Sequence, residues 1–98
     1  MICSTTKGRV SPENLGTYTN WIKGPWIKLI SSQEGFKGTS YMTKPNGEWM
    51  VLKLWETEAH DEAWSENQDH KRLAEEVMPL FVGDVERNVY EVREHVVS

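Results

Sequence analysis

Apolar positions recur at two spacings along this 98-residue chain, and the switches between them mark its elements. Residues 1–10 are rich in β-branched side chains and carry no helical stripe, which predicts a first strand. Ser11-Pro12-Glu13 supplies a helix start: a serine suited to capping, a proline whose missing N–H is harmless in the first turn, and an acid at the positive end of the dipole. Leu15, Tyr18, Ile22, Trp26 and Leu29 follow at helical spacing, Trp21 and Ile30 widen the face, and the helix is expected to end by about Ser32. Gly24-Pro25 interrupts the stripe, so a kink or short break is expected there.

The spacing then changes to two. Residues 36–43 and Trp49–Trp55 read as paired strands around Lys44-Pro45-Asn46-Gly47-Glu48, whose Asn-Gly step favours a tight turn. The second of these strands is apolar on both faces except at Lys53, whereas a sheet with one wet face alternates. It should therefore have helices behind it and another apolar body in front, the first sign of pairing with a second copy. Thr57 suits the cap of a second helix, with Glu58 and Asp61 in its first turn and an apolar face of Ala59, Ala63, Trp64, Leu73, Val77, Leu80 and Phe81. Asn67 and His70 fall on that face, and a break with Asn67 as a second cap is expected at 66–68. Pro79 should end or bend the helix. Gly83-Asp84 leads into a last strand at about 85–96. Strand, helix, strand, strand, helix, strand is the ferredoxin-like βαββαβ order of an α+β domain spanning 1–98, with an antiparallel sheet and both helices on one face.

Composition narrows the function. A net charge of −4 with scattered Lys and Arg gives no footprint for nucleic acid or anionic lipid. One cysteine, Cys3, fits a reducing compartment and reads as a half-buried strand thiol. No basic start followed by an apolar core is visible, and no apolar run approaches the ~20 residues of a membrane span, so a cytoplasmic protein is expected. The three histidines lack metal-ligand spacing, and no metal is expected. Five tryptophans are many for this length; they can fill a core, an interface or the wall of a cavity.

The chain resembles the antibiotic biosynthesis monooxygenase superfamily of dimeric α/β barrels from about Arg9 to Val92. The likeness is carried by Gly35-Phe36-Lys37-Gly38, by Val51-Leu52-Lys53-Leu54-Trp55-Glu56-Thr57 entering the second helix, by the break at Glu66-Asn67-Gln68-Asp69-His70, by Met78-Pro79-Leu80-Phe81 and by Val89-Tyr90-Glu91-Val92. The resemblance implies a homodimer with a pocket between each sheet and its helices, and oxidation of quinol- or anthrone-type aromatic molecules by O₂ without a cofactor. A haem-degrading branch uses an Asn on the first strand, a Trp on the second helix and a His ~10 residues later. Trp64 matches the tryptophan, but Ala74 stands at the histidine's place and residues 1–10 hold no asparagine.

His70 is the candidate base: a histidine facing an apolar pocket can deprotonate a phenol, and the resulting anion can pass an electron to O₂. Trp64 and Asn67 are placed beside it as site residues, although Asn67 also suits a cap and Trp64 a core. Trp55, Tyr41, Trp26 and Trp21 are candidate substrate contacts, with Trp21 and Trp26 flanking the Gly24-Pro25 interruption and Tyr90 a further hydroxyl. The competing reading is a non-catalytic homodimer that binds haem or another hydrophobic small ligand, or one whose own indoles fill the space.

Overall fold

The computed structural model describes all 98 residues, Met1–Ser98. Its sheet is built around strand β3 (Glu48–Trp55), which pairs antiparallel with β2 (Phe36–Thr43) on one side and β1 (Ile2–Arg9) on the other. Strand β4 (Glu86–Glu91) pairs antiparallel with β1, giving the order β2-β3-β1-β4. The turn into β3 depends on Gly47 at φ +96°, where a Cβ would stand 1.9 Å from the Val10 carbonyl oxygen. Strand β4 is shorter than the expected 85–96. It pairs with β1 alone, β1 begins at Ile2 opposite Glu91, and past the Val92 N–H bond to the Met1 carbonyl (2.9 Å) no ladder partner exists.

Period two divides the sheet into two faces. Trp49, Val51, Lys53 and Trp55 are buried on one, and the register sets Gly8, Thr6, Ser4 and Ile2 beside them. Met50, Leu52 and Leu54 look the other way and are only half-buried, next to Cys3, Thr5, Met42 and Tyr90.

The helices cover the first face. A 3-10 turn at Pro12–Asn14 leads into α1 (Leu15–Trp21). Ser11 makes no side-chain cap; its carbonyl takes the Asn14 N–H instead, at 2.8 Å. At Gly24-Pro25 the helix does not break. It widens into a π-helical turn, Ile22–Trp26, and resumes as α2 (Ile27–Ser31). A wider turn accommodates a residue that lacks an N–H while keeping Ile22 and Trp26 buried on the same side. Helix α3 (Glu58–Glu66) starts on Thr57, whose hydroxyl accepts the His60 N–H, and α4 (Gln68–Ala74) starts on Asn67, whose side chain accepts the His70 N–H at 2.9 Å. Asn67 has extended backbone angles (φ −63°, ψ 123°), so the break falls where the cap chemistry placed it. The buried face of α3 differs from the expected one. Ala59 and Ala63 are exposed, while Asp61 is buried with Trp64 because Arg87 of β4 donates a hydrogen bond to Asp61 Oδ2. A short 3-10 turn, Met78–Leu80, carries the chain back to a bridge between Phe81 and Val10. No helix is long and apolar enough to cross a membrane.

Candidate functional site

Between the covered face and the helices lies a partly open cavity of about 150 Å³. Thr6, Trp49, Val51 and Lys53 form its floor; Tyr18, Trp21, Ile22 and Trp26 form one wall; His70, Ala74, Val77, Phe81 and Val85 close the other. Gly8 lets the Trp49 ring lie flat on β1, since a Cβ there would come within 2.8 Å of Trp49 Cζ2. The indole N–H groups of Trp21 and Trp49 have no acceptor within the protein. Tyr18 packs edge-on to Phe81, and burial, with Tyr41 nearby, pushes its phenol up and away from ionisation. A wider groove of about 740 Å³ at the sheet's end is lined by Lys7, Arg9, Lys44, Glu48 and Asp84 among others. Its Arg9 and Lys44 both pair with Glu48, at 3.0 and 3.1 Å, which leaves them ordinary surface charges.

His70 is fixed on three sides. Its backbone N–H is held by Asn67, its ring stacks on Trp64 with centroids 4.0 Å apart and planes 14° from parallel, and its Nδ1 lies 3.2 Å from the Trp64 carbonyl oxygen. A carbonyl only accepts, so Nδ1 carries the proton and Nε2 is the free acceptor of the neutral ring. Burial lowers the pKa of His70 from its ordinary value, opposed by that hydrogen bond, so the ring is neutral at pH 7. The orienting partner expected of a base is here a backbone carbonyl.

Lys53 is the residue that reading the sequence passed over. It is 6% exposed and lines the cavity, and its Nζ donates a 2.8 Å hydrogen bond to Thr6 Oγ1. Burial lowers its pKa to about 8, with Asp61 opposing the shift and Arg87 adding to it. The signal was present: position 53 shares its strand face with Trp49, Val51 and Trp55, so period two aims it at the helices.

Of the expected site residues, Trp21, Trp26 and His70 line the cavity. Trp64 and Asn67 lie behind His70 and hold it. Trp55 is fully buried against Phe36 and Trp64 and belongs to the core. Tyr41 turns to Thr19, Oη to Oγ1 2.9 Å, and Tyr90 lies exposed on the opposite face of the sheet. No three His, Cys, Asp or Glu side chains are grouped to hold a metal ion.

The sequence profile described as antibiotic biosynthesis monooxygenase matches residues 1–76, more than three quarters of the chain. The protein belongs to this family. Its fold recurs in solved structures of distant relatives. A monooxygenase from Streptomyces coelicolor, the ActVA-Orf6 product in complex with nanaomycin D, is 16% identical with a TM-score of 0.84 over 99% of this chain and 91% of that one. SnoaB, a cofactor-independent oxygenase from Streptomyces nogalater, is 10% identical with a TM-score of 0.76 over 99% and 97%. A conserved protein from Methanosarcina mazei is 19% identical with a TM-score of 0.80 over 91% and 89%. Comparison with curated proteins gave no match. At such identities the structures show the antibiotic biosynthesis monooxygenase fold and leave the chemistry to the site. What this family member brings to the fold is an indole-walled cavity lined by one imidazole, one ammonium and the phenol of Tyr18.

Proposed function

We propose that the protein is a cofactor-independent monooxygenase that holds the reacting ring of a quinol- or anthrone-type molecule in this cavity. The observation that carries the reading is the anchored, neutral His70, whose Nδ1 is engaged and whose Nε2 is free. Nε2 takes the phenol or enol proton; the anion gives one electron to O₂, and the resulting aryloxyl radical and superoxide combine at a ring carbon that bears hydrogen. Protonated His70 returns its proton to the peroxide, and loss of water leaves a carbonyl, so O₂ supplies one oxygen to the product and one to water. Such base catalysis contributes roughly 10²–10⁴-fold. The volume suits a single ring, since an apolar cavity of about 150 Å³ takes benzene. A haem macrocycle does not fit this space. The half-buried Met50, Leu52 and Leu54 support a homodimer formed through the uncovered sheet face, and the unpaired Cys3 thiol supports a reducing, cytoplasmic setting.

Oxygen uptake with a panel of quinols and anthrones tests the chemistry. Uptake by the wild type that falls roughly 10²–10⁴-fold in His70→Ala is expected. Equal uptake by the variant removes His70 from the role. Binding of the panel with no uptake by the wild type overturns the oxygenase reading in favour of a hydrophobic-ligand binder. Sedimentation at micromolar concentration should show dimers.

A further inference from the structure

We propose that the cavity takes its aromatic ligand as an oxyanion, with Lys53 Nζ as the counter-ion and Thr6 Oγ1 fixing the ammonium in place. This rests on the reading of the cavity as a ring-binding site but does not require turnover. An ammonium carries three N–H donors, and Lys53 spends one of them, on Thr6. No carboxylate lies within 4.0 Å of Nζ. Asp61 of α3 acts on it most strongly, but its carboxylate is bound by Arg87 of β4, whose charge works the other way at Lys53. The other titratable groups near it are Cys3 of β1, whose thiol burial pushes up, and the neutral His70 of α4. The cation thus stands among indoles and aliphatic side chains with no carboxylate in contact and two donors without a protein partner, an arrangement that is costly until an anion or acceptor arrives.

A ligand oxygen beside Nζ supplies what is missing. A phenol or enol that ionises on binding passes its proton to His70 Nε2 or to solvent, and its oxygen gains charge-assisted hydrogen bonds from the ammonium. The site then selects hydroxylated rings with acidic O–H groups over their methyl ethers. Selection falls on the O–H because an ether oxygen accepts a hydrogen bond but cannot become the counter-charge.

The test uses two single-ring probes on the intact protein, 4-nitrophenol, whose phenolate is yellow, and 4-nitroanisole, which cannot ionise. Binding is followed by quenching of tryptophan fluorescence and ionisation by the phenolate band. At about pH 6, where the free phenol is mostly protonated, the wild type should raise the yellow band, the bound probe titrating about 1–3 pH units below the free one. Lys53→Met should bind both probes without that shift, and Lys53→Arg should keep it. A wild type that binds 4-nitrophenol in its neutral form, or a shift that survives Lys53→Met, overturns the role of Lys53 while 4-nitroanisole binding upholds the cavity. Failure of the wild type to bind either probe overturns the ring-binding reading and this inference with it.

Discussion

Along β3, Trp49, Val51, Lys53 and Trp55 are at most 6% exposed, whereas their alternate neighbours Met50, Leu52 and Leu54 keep part of their surface open, although all seven stand in one strand. The covered side mixes indoles with an ammonium, a buried carboxylate and an imidazole. The uncovered side sets methionine and leucine beside a thiol, small hydroxyls, the exposed Tyr90 and the solvent-facing Lys7–Glu86 pair. Hydrophobicity alone does not separate the two faces, since both are apolar. What separates them is where the charges stand: the covered side holds Lys53 and Asp61 away from water, whereas the charges of the open face stand in solvent. The proposed chemistry rests on the first of these faces and the proposed dimer contact on the second.

Packing separates the two faces most strongly. Trp55→Ala, in the core beneath α3, should destabilise the fold by about 3–5 kcal/mol in urea titration, because the sealed site cannot collapse around the lost indole. A loss below about 1 kcal/mol would show that the covered face is not the tightly packed one. On the other side, Leu52→Lys should barely change folding of the isolated chain but should convert dimers to monomers in sedimentation, since apposed lysines at a two-fold contact cost several kcal/mol. Dimers that persist in Leu52→Lys would remove the open face from the interface.

Lys53 sharpens the contrast. Its folded pKa of about 8 lies below the ordinary 10.5, so the unfolded chain binds more protons between those values and stability rises with pH across that window. Lys53→Met should therefore be more stable than the wild type at pH 7, by up to about 3 kcal/mol, and the gap should close as pH rises from about 8 towards 10.5. A stabilised variant that has lost phenolate binding marks a residue kept for function. A variant less stable than the wild type would mean that Lys53 supports the fold.

Much of this was legible in the sequence. The succession of strands and helices along the chain, the Asn46-Gly47 turn and the Asn67 break follow from local periodicity and cap chemistry, which act within a few residues. His70 was legible because it stands where an apolar side chain belongs. The rest depends on partners distant in sequence. Asp61 reads as a first-turn acid at the dipole, and only Arg87, 26 residues on, explains why it is buried. Tyr41 reads as a free hydroxyl until Thr19 claims it across 22 residues. Lys53 reads as an exception in an apolar run. Its direction was available from period two, but its importance emerges only when α1, α4 and the π-helical turn close the space above it.

The smallest effect concerns His70 and fixes its charge state. Its folded pKa lies below the ordinary 6.5, chiefly through burial, so just below that value the unfolded chain binds the extra proton. The stability contribution is whole above about pH 6.5 and is lost as pH falls through the window beneath it. Carboxylates elsewhere also respond to acid, so the measurement is a difference: urea midpoints of wild type and His70→Gln between pH 7.5 and about pH 5. The wild type should lose more stability over that range, by less than the Lys53 effect. Glutamine keeps a polar side chain near the Trp64 carbonyl without the titration. Parallel curves would mean that His70 protonates as easily inside the cavity as outside it. A wild type that loses less stability than His70→Gln would mean that the cavity favours the imidazolium; a base held cationic at neutral pH cannot accept a phenol's proton, and the oxygenase reading would then need another acceptor.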